Sequence, residues 1–437
     1  MHNPMKRLLV LFQDNIFVRN SVILFGGTMV VNVLNYIFHL VVGRMVEPSA
    51  YGEIESLIAL LVIISVPAST LTLIATKYAA DMKAAGNFQG TYALSKYLTA
   101  QVFFYGIPLL LIALFCTRFV KDFLNIENDL PILLLWGVMF FSFLSAATSG
   151  ILTGWQKFAN MNFVGISSIV LKLVSVLLLL QLGFAVSGVV GSYVLSTLFI
   201  YLANVFLLKR FFQRNSSGEQ ETTTLSFAAI KNYAAPAFYG TLSVAILGNA
   251  DMIFAKHHLE ASVSGEYGAL SVAAKTIFFV TGVLTTVLFA MSAEESNHNK
   301  KDSHTFRLAV WLMILVVSGS VIFFSLFPEF VVSILFGEKY LAVSHALGWF
   351  ALAAGIYSLA NLFLQYLLSL HETRITLFFL ALSGVEMLVL FFFGETFYAI
   401  ISITIVTQIL AALLGLWFVL MRKKRYVKES LDSYTSL

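Results

Sequence analysis

Apolar residues in this chain occur in long runs, and short polar segments separate the runs. Most runs reach the roughly 20 residues that a helix needs to cross the hydrocarbon core of a membrane. The pattern predicts twelve transmembrane helices, at about 17–46, 53–75, 97–117, 131–154, 163–182, 186–208, 227–256, 265–291, 306–327, 344–370, 375–393 and 397–421. We therefore predict an all-α polytopic membrane protein, with a kink at Pro67 in the second helix.

The strongest polar interruption lies near the middle of the chain, at residues 209–231. Its centre, N-S-S-G-E-Q-E-T-T-T at 215–224, has the composition of a flexible linker. We predict an N-terminal six-helix lobe at 1–208, a cytoplasmic linker at 209–231, a C-terminal six-helix lobe at 232–421 and a basic cytoplasmic tail at 422–437. Residues 77–96 and 118–129 are predicted to be polar loops.

A short motif recurs at a fixed distance along the chain. Residues 35–38 (N-Y-I-F) precede Tyr51 and Gly52, while residues 251–254 (D-M-I-F) precede Tyr267 and Gly268, each 216 residues later. Two matching six-helix halves joined by a linker are typical of secondary transporters. An even number of helices keeps both halves in one orientation, so we predict lobes related by a pseudo-twofold axis along the membrane normal. The two tyrosines are expected to anchor at the membrane interface.

Composition places most of the surface in lipid. Of the 437 residues, 59% are hydrophobic and 11% are charged, whereas a soluble domain carries about 25% charged residues. With the N-terminus inside, 20 of the 27 lysines and arginines fall in inside segments and 5 fall outside. We therefore predict a multi-pass protein of a bacterial or archaeal cytoplasmic membrane, in contact with its lipids and with both termini cytoplasmic. The first apolar run lacks a small-residue cleavage site, so we expect a retained helix.

The sequence lacks the usual signals of catalysis and of metal or nucleotide binding. Cys116 is the only cysteine, which excludes a disulfide framework and a zinc cluster. No phosphate-binding glycine loop, metal-ligand spacing or nucleophile motif occurs. The net charge of +4 does not suggest nucleic acid as a partner. We therefore expect neither an enzyme nor a metal or cofactor site.

Four charged residues fall inside the predicted membrane helices. They are Lys172, Asp251, Lys275 and Glu386. A charge is unfavourable in the membrane and usually faces a cavity or a partner. One interpretation is a cationic cavity for an anionic group, with the acids coupling an ion or positioning the lysines. The other is that ion pairs hold helices together, or that the lysines extend to the headgroups.

Uncharged polar residues and one pair of charges near the outer surface are further candidates. Asn35 and Asn249 lie in the first and seventh helices, where they either line a cavity or form interhelical hydrogen bonds. Arg44 and Glu53 flank the outer ends of the first two helices. That pair is either a gate of the cavity or a solvated pair of loop residues.

With these residues in view, the chain resembles the polysaccharide-biosynthesis flippases, the Wzx-type members of the multidrug/oligosaccharidyl-lipid/polysaccharide exporter superfamily. The resemblance covers nearly the whole chain and depends on the order of short motifs. The matching features are Asn35-Tyr36 through Gly43-Arg44, Pro48-x-x-Tyr51-Gly52, Pro67, Thr76-Lys77-Tyr78, Ala250-Asp251, Gly265-x-Tyr267-Gly268-Ala269 and Phe336-Gly337-x-x-Tyr340.

The resemblance implies a flippase for a polyprenyl-pyrophosphate-linked oligosaccharide, which works by alternating access between two lobes. In the family, cavity cations are thought to hold the pyrophosphate or acidic sugars, and the matching residues here are Arg44, Lys77 and Lys275. Na⁺ or H⁺ would be the coupling ion, and glycan polymerase machinery would be a partner.

Two other classes of function remain open at this stage. The chain departs from the lipid II flippases, which have an extra helix pair and a more basic first helix. It also has Asn35 and His39 where the drug/sodium antiporters have an acidic and proline pattern. A cation-coupled drug or metabolite antiporter, with acids dominating the cavity, is the first alternative. A membrane glycan polymerase is the second, although the predicted outer loops are short.

Overall fold

The computed structural model describes residues 16–214, 227–278, 281–282, 284–285, 288, 304–370 and 372–435, and its regular elements there are all helices. The α-helices are α1 (Ile16–Met45), α2 (Pro48–Ile64), α3 (Val66–Ala84), α4 (Phe88–Phe115), α5 (Thr117–Phe123), α6 (Asp129–Gly154), α7 (Phe158–Gln181), α8 (Ala185–Arg214), α9 (Phe227–Leu247), α10 (Ala250–His258), α11 (Ala261–Ala274), α12 (His304–Leu326), α13 (Pro328–Phe336), α14 (Leu347–Ser369), α15 (Ile375–Phe393) and α16 (Phe397–Thr435). A 3₁₀ helix, Glu338–Ala346, precedes α14.

The helices of the described residues confirm an all-α polytopic membrane protein. Nine apolar helical segments there are long enough to cross a membrane. Two further spans arise if α2 with α3, and α9 with α10, each count as one helix bent by 40°. The remaining predicted helix, 265–291, starts within α11 and continues into residues that the structure describes only in part.

The repeat seen in the sequence reappears in the order and limits of the helices. Helix α6 ends at Gly154 and α14 ends at Ser369, which is 215 residues later. Helices α7 and α15 begin at Phe158 and Ile375, a nearly equal spacing. The two halves of the chain therefore form the same succession of elements.

Several predicted limits differ from the structure. The prediction of a loop at 77–96 is wrong, because α3 continues to Ala84 and α4 begins at Phe88. The side chain of Asn87 caps α4 by accepting a 2.6 Å hydrogen bond from the amide of Gly90. Within the predicted loop at 118–129, residues up to Phe123 belong to α5. Polar residues at these places continue helices beyond the apolar runs, which a reading by hydropathy alone misses.

Helices extend into the predicted linker and through most of the predicted tail. Helix α8 continues into the predicted linker as far as Arg214, and α9 begins at Phe227. Residues 215–226, the centre of the predicted linker, lie outside the described residues. The predicted tail at 422–437 is helical as far as Thr435, because α16 continues past its apolar part.

The chain forms two compact units. The first contains residues up to Met45 and Ile64–Ala234, and the second contains Val46–Ile63 and Ala235–Leu437. Segment Val46–Ile63, which the prediction placed in the N-terminal lobe, therefore groups with the C-terminal half. The reason lies in its packing on α11: a Cβ atom added at Gly265 would collide with the carbonyl of Pro48.

Small residues also bring helices together in the first unit. Gly150 and Gly154 lie one turn apart on α6 and face α3. Cβ atoms added there would come within 2.5–2.7 Å of Ala75 and Ala79. Such small-residue stripes let helix backbones approach closely in a membrane, where the hydrophobic effect does not drive helices together.

The two repeated tyrosines are interior residues of the second unit. Tyr51 and Tyr267 are both 0% exposed, so the prediction that they anchor at the membrane interface is wrong. The Tyr51 ring lies 5.8 Å from that of Phe336, and the Tyr267 ring lies 4.7 Å from that of Phe350. Edge-to-face contacts of this kind add to the packing energy.

The close approach of α2 to α11 predicts the effect of a single methyl group. We expect Gly265→Ala to destabilise the purified protein by about 1–3 kcal/mol, because the methyl group meets rigid backbone. The measurement is the apparent Tm in detergent. Gly384→Ala is the control, since a Cβ there meets no atom within 4 Å, and alanine is the better helix former by about 1 kcal/mol. Equal Tm values for Gly265→Ala and the parent would contradict the packing described here.

Candidate functional site

A break in a membrane helix marks the candidate site of the second unit. Helix α9 ends at Leu247 and α10 begins at Ala250, so Gly248 and Asn249 separate two helices that meet at 40°. Transporters often bind substrates and ions at such discontinuous helices. The prediction of one continuous helix at 227–256 is therefore corrected here.

A cavity of about 40 Å³ lies beside this break. That volume is enough for a few water molecules. Apolar and aromatic side chains form much of the wall. The polar residues in the wall are Asp251, Ser271, Lys275, Tyr357, Thr404 and Gln408.

Lys275 and Asn249 form a hydrogen-bonded pair at the cavity. The half-buried ammonium of Lys275 donates to Asn249 Oδ1 over 3.3 Å. Asn249 Nδ2 in turn donates to the carbonyl of Ala245 over 2.9 Å. The asparagine therefore fixes the ammonium next to the helix break.

Asp251 contributes a buried carboxylate to the same cavity. Its side chain is buried at 8% exposure. Oδ2 accepts a 3.0 Å hydrogen bond from the hydroxyl of Tyr267, while Oδ1 has no hydrogen-bond partner within the described part of the chain. One side of the carboxylate is thus held in place, and the other remains available as an acceptor.

Glu386 is a second buried acid of this unit, and it is not part of the cavity wall. It lies on α15 and is 0% exposed. Its Oε1 accepts a 2.8 Å hydrogen bond from Thr407, whereas Oε2 is buried without a partner among the described residues. Glu386 therefore resembles Asp251, because one carboxylate oxygen accepts a hydrogen bond and the other has no partner among the described residues.

The first unit places Lys172 and Asn35 together. Lys172 Nζ donates to Asn35 Oδ1 over 2.7 Å. It also lies 4.3 Å from the ring centre of Phe38 and 4.1 Å from that of Tyr193. The lysine is only 4% exposed, and desolvated cation–π contacts contribute about 2 kcal/mol. Lys172 is thus enclosed by aromatic rings and an amide.

The remaining predicted residues are Arg44, Lys77 and Glu53. Arg44 is exposed at the end of α1, and Lys77 is exposed on α3. Glu53 belongs to α2 and lies 3.9 Å from the ammonium of Lys256, whose side chain is 2% exposed. Lys256 is therefore a buried lysine of the second unit.

The sequence pattern points first to charged residues, and it did not indicate several uncharged residues of the cavity wall and of the surroundings of Lys172. They are Phe38, Tyr193, Tyr357, Thr404 and Gln408. Gln408 had a usable signal, since it is an amide within the apolar part of α16. The rings around Lys172 had none, because aromatic residues are frequent throughout this chain.

Comparison with known families settles the membership of the chain. The family model described as polysaccharide biosynthesis protein matches residues 17–293, more than half of the sequence. The chain belongs to the polysaccharide biosynthesis protein family. The resemblance noted in the sequence is therefore confirmed at the level of the family. A search of curated protein sequences finds no match.

Several solved structures share the fold of this chain. An inward-facing multidrug resistance MATE family transporter of the MOP superfamily matches with a TM-score of 0.68 and 16% identity, over 91% of this chain and 96% of that one. Lipid II flippase MurJ, in an inward closed conformation, matches with 0.63 and 14%, over 93% and 87%. A MOP superfamily transporter from Pyrococcus furiosus matches with 0.55 and 17%, over 93% and 94%. At these identities the likeness concerns the fold.

The environment of Lys172 predicts a structural contribution from its ammonium. We expect Lys172→Met to destabilise the purified protein by about 1–3 kcal/mol, because Asn35 Oδ1 loses its donor and the rings lose their cation. The apparent Tm measures the change. Lys121→Met is the control, since Lys121 forms a surface pair with Asp129 at 2.7 Å, and such pairs contribute about 0–1 kcal/mol. Equal Tm values for both variants would refute a structural contribution of Lys172.

Proposed function

We propose that this protein is a flippase, which moves a polyprenyl-pyrophosphate-linked oligosaccharide from the cytoplasmic to the outer face of the cell membrane. The observation that carries the proposal is the half-buried ammonium of Lys275 at a cavity beside a broken membrane helix. Membership of the polysaccharide biosynthesis family supports a carbohydrate cargo. The protein acts as a transporter for surface polysaccharide synthesis and not as an enzyme.

The physical requirement of the cargo supports this assignment. A pyrophosphate diester is an anion and does not enter hydrocarbon without a replacement for its hydration. A lysine at the cavity would supply charge-assisted hydrogen bonds in place of water. Alternating access would expose such a site to each face of the membrane in turn, while the polyprenyl chain stays in lipid. Arg44 and Lys77, both exposed, are proposed as further cations that bind the anion.

The proposed topology, partner and driving ion follow from the same assignment. Both termini lie in the cytoplasm, as the distribution of lysines and arginines predicts. The product appears on the outer face, where glycan polymerase machinery would take it up. No cofactor is needed, because movement can be driven by a gradient of Na⁺ or H⁺. Asp251 and Glu386 are proposed as the coupling acids, since each is buried with one oxygen lacking a partner in the described part of the chain.

The same two acids favour a second candidate, a cation-coupled antiporter for drugs or metabolites. The match to a multidrug resistance transporter supports this alternative at the level of the fold. For the Pyrococcus furiosus transporter, the reverse polarity of its binding pocket suggests a different function. By the same reasoning, a lysine in the cavity favours an anionic cargo here, and acids alone would favour a cation.

The first test concerns Lys275. We expect Lys275→Ala to abolish export of surface polysaccharide in a strain that lacks the native gene, with the lipid-linked oligosaccharide accumulating on the cytoplasmic face. Lys275→Arg should retain part of the activity, because it preserves the positive charge. The amount of lipid-linked oligosaccharide on each membrane face is measured, together with the amount of inserted protein.

Lys121→Ala is the matched control, since Lys121 is a lysine outside the cavity wall. Normal export by Lys275→Ala would remove Lys275 from the substrate site. Accumulation on the outer face in the deletion strain would instead indicate a defect in polymerisation. Normal glycan with a greater sensitivity to cationic drugs would favour the antiporter.

The second test concerns coupling. We expect Asp251→Asn to keep the hydrogen bond from Tyr267, because the amide oxygen also accepts, but to remove the dependence of transport on an imposed ion gradient. Glu386→Gln should have the same effect if both acids serve the coupling ion. Transport is measured in proteoliposomes under Na⁺ or pH gradients applied separately. A variant that responds to both gradients as the parent does would exclude its acid from coupling.

A further inference from the structure

The helix break creates a specific problem inside the membrane. The last four carbonyls of a helix have no partner within that helix. In hydrocarbon, each carbonyl without a hydrogen bond costs several kcal/mol. At the end of α9 these carbonyls belong to Val244, Ala245, Ile246 and Leu247. Each of them must find a donor for the break to be stable.

The backbone satisfies two of the four. The amide of Gly248 donates to the carbonyl of Val244 over 3.1 Å. The amide of Asn249 donates to the carbonyl of Ile246 over 3.0 Å, a tightening of the last turn. The carbonyls of Ala245 and Leu247 depend on other donors.

Side chains satisfy the remaining two. Asn249 Nδ2 donates to the carbonyl of Ala245 over 2.9 Å. Gln408 Nε2, which comes from α16, donates to the carbonyl of Leu247. The hydroxyl of Tyr357 adds a second donor to the carbonyl of Val244 over 3.0 Å. All four carbonyls are therefore paired, and only two of these pairs use amides of the main chain.

Gln408 occupies the place of a main-chain amide. In a continuous helix the carbonyl of Leu247 would accept from the amide of Asp251, four residues later. The side chain of Gln408, 1% exposed, takes that acceptor instead. Asp251 thereby stays at the start of a new helix, with its carboxylate in the cavity wall.

We propose that Gln408 is a positioning residue, whose amide holds the break between α9 and α10 and so keeps Asp251 and the Asn249–Lys275 pair at the cavity. The relevance of this role to transport rests on the proposed function. The role itself concerns the geometry of the break between α9 and α10, which can be measured without any substrate. Gln408 Oε1 has no partner among the described residues and lies in the cavity wall, so the same amide also offers an acceptor to a bound molecule.

Two kinds of structural role predict opposite results when the amide is removed. If Gln408 only fills space or stabilises the unit, its loss loosens the region and amide hydrogen exchange near the break becomes faster. If it holds the break open, its loss releases the carbonyl of Leu247 to the amide of Asp251. The helix then rewinds, and exchange of the amides at 249–251 becomes slower.

The experiment is hydrogen–deuterium exchange of the full-length protein in detergent, with and without Gln408→Met, a substitution close in length that lacks a donor. We expect exchange at residues 249–251 to slow by about tenfold, the effect of one gained hydrogen bond. Tyr357→Phe should leave it unchanged, because the carbonyl of Val244 keeps Gly248 as its donor.

Asn204→Leu is the matched control, since it removes another buried amide, one that bonds Ser149 in the first unit. Faster or unchanged exchange at 249–251 in Gln408→Met would overturn the proposal. If Gln408→Met slows exchange while the parent protein moves no lipid-linked oligosaccharide, the positioning role stands and the proposed function fails. If the parent moves the cargo and exchange in Gln408→Met is faster or unchanged, the proposed function stands and the positioning role fails.

Discussion

The need to pair every polar group inside hydrocarbon shapes this structure at its most informative points. No water is available there, so an unpaired carbonyl or charge is strongly unfavourable. The break between α9 and α10 is stable because the side chains of Asn249 and of Gln408 on α16 replace lost main-chain donors. Lys172 is tolerated in the first unit because Asn35 and two rings surround its ammonium. In both places a few uncharged residues stabilise a group that hydrocarbon disfavours. In the second unit it is the set of carbonyls at the helix break, and in the first it is a lysine ammonium.

Against that background, buried oxygens that lack a donor in the described part of the chain are informative. Asp251 Oδ1, Glu386 Oε2 and Gln408 Oε1 are of this kind, and all three belong to the second unit. In the repeat, Asp251 corresponds to Asn35 of the first half, where the side chain is a neutral amide that is engaged on both of its polar atoms. The two halves therefore share a succession of helices, but they differ in chemistry at equivalent positions.

Much of the fold was accessible from the sequence, because hydropathy and the 216-residue repeat are properties of the chain itself. Pro67 indicated a bend, and the structure places the break two residues earlier, at Ser65, since proline suits the first turn of a new helix. By contrast, the break at Gly248 and the grouping of Val46–Ile63 with the C-terminal half depend on contacts with distant helices. Charged candidates were found easily, whereas Gln408 was missed because its importance lies in a carbonyl 161 residues away.

The two lysine–asparagine pairs show why similar contacts need not have similar roles. Each asparagine donates to the carbonyl four residues before it and accepts from an ammonium. The lysines, however, come from helices that are not equivalent in the repeat. Lys172 is fully desolvated between two rings, so an anion could reach it only by displacing those contacts. Lys275 is half-buried and borders a cavity, so its ammonium is less enclosed than that of Lys172. Accessibility, more than charge, therefore separates the lysine suited to bind a cargo from the one suited to hold helices together.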